Sequence, residues 1–217
     1  MIILNFKTYP QATTGGFKLV KIAEKVSKEY EVPIILCVQA TDIFKFSQIT
    51  DLPIYAQHMD PIEPGRNTGF ISPLAIIENG ASGVLLNHSE HRLAQKVLSK
   101  SIAIAKKYKL STLVCAETPE EAAQIDTFEP DFIALEDPIL IGGDVSIVNN
   151  LKGRNQVKKF IAQKLKATPL IGAGIKTKID ISTSLKLKAK GVLLASGFVK
   201  AEDPLQELSQ LAQGFKK

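Results

Sequence analysis

Apolar runs in this sequence repeatedly stop on residues able to move protons or hold charge. Ile3–Lys7, "ILNFK", ends with Asn5 and Lys7, two apart and so on one side of an extended chain. "LLNHSEHR" presents Asn87, His88, Ser89 and Glu90, and "FIALED" sets Glu136 and Asp137 directly after Phe132–Leu135. Glu136, His88 and Lys7 can serve as a base, a proton-donating electrophile and a fixed cation, which is a proton-abstraction set. A second chemistry follows two later runs. Gly172-Ala173-Gly174 and Ala195-Ser196-Gly197 are small-residue turns able to gather bare backbone N–H groups around an anion such as phosphate. Each residue also has an ordinary structural use. Asn5 and Lys7 can end a strand in solvent, His88 can be a satisfied core histidine, Glu90 can sit at a helix start, and glycine turns are common loop punctuation.

Other chemistries lack their residues. His58, His88 and His91 are too few and wrongly spaced for a zinc set, and no H-E-x-x-H occurs, so no metal is expected. A phosphate-binding G-x-x-x-x-G-K-[ST] and a nucleophile-bearing G-x-S-x-G are also absent. The net charge of +5 comes from lysines spread along helix-like segments, with no tryptophan and no aromatics interleaved. That speaks against nucleic acid and suits steering of a small anion.

The elements that must position these residues recur regularly. Eight short, apolar, β-branched runs are read as strands: Ile2–Phe6, Ile34–Val38, Ile54–Gln57, Gly83–Asn87, Thr112–Cys115, Phe132–Leu135, Pro169–Gly172 and Gly191–Leu194. Their near-continuous apolarity fits a sheet covered on both faces. Helical periods run through Phe17–Glu29 and Arg92–Tyr108. Thr118–Pro119 and Asp203–Pro204 are read as helix starts. Eight alternations in about 200 residues fit a closed (β/α)8 barrel, whose chemistry lies at the C-terminal ends of its strands. An open doubly wound sheet is the rival, but no G-x-G-x-x-G follows the first strand. Nothing linker-like divides the chain, so residues 1–217 are expected to form one domain. His58–Ser72, rich in Pro and Gly, has no helical period, and a connection this long is usually functional or disordered. Cys37 and Cys115, both inside apolar runs, are expected as buried thiols. With no apolar run of membrane-spanning length, and Met1 leading straight into "IILNF", a cytoplasmic protein is expected.

In order and spacing along the whole chain, these motifs resemble the triosephosphate isomerase family. "NFK", "NHSEHR", "ALEDPILIGG", "GAGI" and "GVLLASGFVKAEDP" carry the likeness, and "AQHMDPIEPGRNTG" resembles the third loop of its short archaeal form. The resemblance implies a single TIM barrel that interconverts dihydroxyacetone phosphate and D-glyceraldehyde 3-phosphate without metal or cofactor. It assigns Glu136 as base, His88 as electrophile and Lys7 as cation. Asn5 is placed beside the substrate, and Glu90 is the acid that holds the lysine. Ile141 and Gly142 on a lid, with Gly174, Ala195 and Ser196, would bind the phosphate. The resemblance also implies a homotetramer in which loop 58–72 reaches a neighbour through Thr68. This family is itself a well-known instance of a catalytic histidine kept neutral at a helix N-terminus, and a helix start is expected here at Ser89–Arg92. Three departures stand out: Asp137 in place of the family's proline, Gly143-Asp144 in place of Thr-Gly, and His91 in place of an arginine. Activity is expected to survive them.

Overall fold

Short runs that are apolar on both sides can only be stable if both faces are covered, and the chain achieves this by closing the sheet on itself. The computed structural model describes residues 1–140, 143 and 145–216. The strands are β1 (Ile2–Asn5), β2 (Ile34–Val38), β3 (Ile54–Ala56), β4 (Gly83–Leu86), β5 (Ser111–Ala116), β6 (Phe132–Leu135), β7 (Thr168–Ile171) and β8 (Gly191–Leu194). Each pairs in parallel with the next, and β8 pairs back onto β1 through Ile2↔Val192 to Leu4↔Leu194. Parallel neighbours need a crossover. Here the helices supply it: α1 (Pro10–Tyr30), α2 (Ile43–Ser47), α3 (Pro73–Glu78), α4 (Gln95–Lys107), α5 (Pro119–Asp126), α6 (Leu151–Ala162), α7 (Lys178–Lys186), α8 (Ser196–Val199) and α9 (Pro204–Gln213). This is a (β/α)8 barrel.

Alternation along the strands divides the apolar side chains into two cores. Ile3, Ile35, Cys37, Tyr55, Leu85, Leu113, Cys115, Ala134, Leu170 and Leu193 fill the barrel interior. Their neighbours Ile2, Leu4, Ile34, Leu36, Val84, Leu86, Ile133, Leu135 and Ile171 pack outward against the helices. Both cysteines are free thiols in the inner core, and burial pushes each well above the ordinary thiol range.

Element ends differ from the expected ones in instructive places. Phe6, Gln57 and Asn87 lie just past their strands, in the loops that build the site. Helix α1 begins at Pro10 rather than Phe17. Its "ATTGG" start has poor intrinsic helix preference, but Pro10 suits a first turn. Gly16 is required there, because a Cβ would come within 3.0 Å of the Phe46 ring. Helix α4 begins at Gln95 rather than Arg92. The expected helix starts at Thr118 and Asp203 are present, with Thr118 Oγ1 accepting the Glu121 N–H at 3.1 Å and Asp203 Oδ1 accepting the Leu205 N–H at 3.1 Å. The loop His58–Ser72 contains neither helix nor strand.

Candidate active site

At the C-terminal end of the barrel, one pocket is lined by Asn5, Lys7, His88, Glu136, Gly174, Ala195 and Ser196, seven residues singled out from the sequence. Parity along the strands explains several of them. Asn5 follows the inward Ile3 by two, Glu136 follows Ala134, and Ala195 follows Leu193, so each continues its strand's inner face into the pocket. Asn5 and Glu136 are buried at 4% and 6% exposure.

Glu136 is the electrostatic centre. Burial raises its carboxyl above the ordinary carboxylate value, and His88, Cys115 and Lys7 offset this only in part. Its Oε2 is buried and has no hydrogen-bond partner among the described residues. Across the pocket, His88 Nε2 stands 3.6 Å from that oxygen. Space for the carboxylate is provided by Gly172, where a Cβ would fall 2.7 Å from the Glu136 Cδ.

Strand parity from Leu85 would send Asn87, not His88, inward. Asn87 instead takes a left-handed conformation, φ 60°, which asparagine tolerates better than most residues. Its side chain donates to the Cys115 carbonyl at 3.0 Å and accepts the Leu93 N–H at 3.0 Å, and the chain emerges with His88 facing the pocket. The Glu90 N–H donates to His88 Nδ1 at 3.1 Å. That bond leaves Nδ1 without a proton and places the ring N–H on Nε2, toward Glu136. The amide comes from the tight turn after His88. The expected helix start at Ser89–Arg92 is not there, because α4 begins only at Gln95.

Lys7 also adopts a left-handed conformation, φ 47°. Its Nζ pairs with Glu90 Oε1 at 2.6 Å, and its side chain is 10% exposed. Two groups hold the strained backbone. Asn5 Oδ1 accepts the Lys7 N–H at 3.0 Å, and Gln57 Nε2 donates to the Lys7 carbonyl at 3.2 Å and to Asn5 Oδ1 at 3.2 Å. Gln57 is not among the residues that the sequence singles out, although a polar residue closing the third apolar run was a visible signal. Glu90 lies at the rim, lining an adjoining groove with Gln57, His58 and His91.

The far end of the pocket brings together the small-residue turns Ala173–Gly174 and Ala195–Gly197, with Ile175 and Lys176 beside them. Ala173 and Gly174 are consecutive left-handed residues, φ 68° and 70°. Gly174 admits the following segment, since a Cβ there would lie 2.9 Å from Ser146 Cα. Ser196 and Gly197 open α8, so their N–H groups have no acceptor within the helix. Ile141 and Gly142 lie outside the described residues.

The departures resolve in part. The Asp137 carboxylate turns away from Glu136, with Oδ1 accepting the Ile139 N–H at 3.0 Å. His91 stacks on His58, ring centroids 4.2 Å apart, while His58 Nε2 approaches Asp60 Oδ1 at 3.4 Å. Burial and the neighbouring His91 lower the His58 pKa below its ordinary value.

A (β/α)8 barrel with a buried carboxylate opposite an imidazole and a lysine, and a backbone cradle beyond them, defines a proton-transferring barrel enzyme. Comparison with known proteins narrows the class. The family model described as triosephosphate isomerase matches residues 1–213. Triosephosphate isomerase of Methanobacterium bryantii is 38% identical over 97% of this chain and 95% of its own length. That of Saccharolobus solfataricus is 38% identical over 94% of this chain and 91% of its own. The crystal structure of triosephosphate isomerase from Bartonella henselae has a TM-score of 0.76, covering 100% of this chain and 98% of that one at 20% identity, a likeness of fold. The chain belongs to the triosephosphate isomerase family.

Proposed function

We propose that this enzyme interconverts dihydroxyacetone phosphate and D-glyceraldehyde 3-phosphate in glycolysis and gluconeogenesis, with Glu136 as base and His88 as electrophile. The observation that carries this reading is the buried, unpartnered Glu136 Oε2 facing His88 Nε2 at 3.6 Å. Such an acceptor is costly in an inert core and useful where a proton must be taken. Glu136 removes a proton from the carbon beside the carbonyl. The electrons of that C–H bond move onto the carbonyl oxygen and give an enediolate. His88 Nε2–H and the Lys7 ammonium meet the developing charge. His88 Nε2 gives its proton to the former carbonyl oxygen and takes up the proton of the adjacent hydroxyl, and the protonated Glu136 returns its proton to the neighbouring carbon, so the carbonyl moves from one carbon to the other. No cofactor has a part in this sequence.

Glu90 holds the lysine, and Asn5 stands beside the substrate. Gly174, Ala195 and Ser196 hold the phosphate through backbone N–H groups and the serine hydroxyl. Binding at that end supplies energy and orientation to chemistry at the other. The whole chain acts as one catalytic domain. Purified protein assayed with D-glyceraldehyde 3-phosphate tests the reading: rapid isomerisation supports it, and an inactive wild type refutes it.

The same reading extends to assembly. Loop 58–72, with Thr68 and the 56%-exposed Phe70 near its tip, reaches a second copy within a homotetramer. Light scattering giving a tetramer mass supports this, and a monomer mass at working concentration contradicts it. Among the described residues no helix is long and apolar enough to cross a membrane, in keeping with work in the cytoplasm.

A further inference from the structure

Glu136 is clamped on both sides by the backbone. On its N-terminal side, the Glu136 N–H donates to the Ala116 carbonyl at 2.9 Å, which extends the sheet register one residue past β6. On its C-terminal side stands Asp137. Asp137 Oδ1 accepts the Ile139 N–H at 3.0 Å, and the Asp137 carbonyl accepts the Leu140 N–H at 3.0 Å. Pro138 between them has no N–H and a fixed φ. Asp137 therefore satisfies every N–H of the 3-10 turn Pro138–Leu140. Leu140 docks on the outer core, while Ile139 stands 82% exposed.

We propose that Asp137 is a positioning residue: by closing this turn with its carboxylate oxygen, it fixes the backbone from which the Glu136 side chain springs. The role is one of acceptor geometry and not of charge. The Asp137 carboxylate is engaged by the Ile139 N–H, and Asp137 does not line the pocket that holds the Glu136 carboxyl. A misplacement of about 1 Å at a reacting group costs roughly a hundredfold in rate. A clamp that sets the base's backbone therefore acts mainly on kcat and less on KM.

The inference rests on Glu136 being the base. Three full-length variants test it: D137A, D137N and E136Q, each with kcat, KM, the pH profile and thermal unfolding measured. D137A is expected to lower kcat roughly tenfold to a hundredfold with KM changed less than about twofold. D137N keeps a side-chain oxygen for the Ile139 N–H. It is expected to stay within about threefold of wild type in kcat with an unmoved acid limb. A D137A enzyme with wild-type kcat overturns the proposal. So does a D137N enzyme as impaired as D137A, or one whose acid limb shifts, since charge would then be the operative property. If D137A fails to fold, D137N decides alone through its kcat and acid limb. E136Q separates the two claims: an active E136Q removes the base assignment itself, whereas an inactive E136Q beside an unimpaired D137A removes only the clamp.

Discussion

At one end of the pocket, Asn5, His88 and Glu136 contribute side chains that are 4%, 7% and 6% exposed, with the Lys7 ammonium beside them. At the other end, Ala173–Gly174 and Ala195–Gly197 contribute mainly backbone and one hydroxyl. The first end depends on the identity of each group, its protonation and its partner. The second depends on the path of the chain, through two left-handed residues and the open N-terminus of a short helix. Damage to the first end should therefore appear in kcat. Damage to the second should appear mostly in KM, because phosphate binding is shared by substrate and transition state.

The comparison breaks most visibly at Glu136. E136Q keeps the shape and removes the proposed base, so kcat should fall roughly 100- to 10,000-fold with little change in KM, in a steady-state assay. Wild type should also lose activity on acidification with a limb above the ordinary carboxylate value of 4.5, because burial raises this carboxyl and only its ionised form accepts a proton. A limb at or below 4.5 in kcat/KM would contradict that. Next is H88Q, which removes the proposed donor to the enediolate and should cost roughly 100- to 1,000-fold in kcat. G172A sharpens the comparison. The residue lies in the phosphate-side loop, yet an added methyl meets the Glu136 carboxylate, so the loss of roughly tenfold to a hundredfold should be in kcat. G174A, at φ 70°, strains the cradle instead and should raise KM several-fold to about tenfold while kcat holds.

The smallest effect concerns stability. A raised Glu136 pKa means that the folded state binds more protons than the unfolded state between 4.5 and the raised value. The residue's contribution to stability therefore falls as pH rises through that window, and at neutral pH its buried ionised form is a net cost. E136Q should then unfold at a slightly higher temperature than wild type near neutral pH. The gain should disappear below about pH 4.5, where both states of the wild type are protonated.

The difference between the two ends also decided what could be read from sequence. All eight strands were legible, because a closed sheet covered on both faces leaves runs such as "IILCV" and "GVLL" with no polar interruption. The grouping of Glu136, His88 and Lys7 in one pocket was legible through residue type and position at strand ends. What was hidden was conformational. The left-handed turn at Asn87 reverses the parity that would have pointed His88 away, and asparagine permits such a turn without requiring it. Gln57 contributes hydrogen bonds to the Lys7 and Cys37 carbonyls and to Asn5 Oδ1, a role that residue type alone does not announce. The early start of α1 was masked by Thr13, Thr14, Gly15 and Gly16, which are poor helix formers, and of these Gly16 lies against Phe46. Asp137 stood out only as an acid where the family has a proline, and its use, closing a turn, became visible once the Ile139 N–H was placed.

The central claim is that Glu136 takes a proton from substrate carbon. Running the isomerisation in deuterated water and following the carbon-bound hydrogens by NMR tests this most directly. Wild type should exchange deuterium into the position beside the carbonyl as it turns over, and E136Q should abolish both exchange and turnover. Exchange or turnover at the wild-type rate in E136Q would contradict the account.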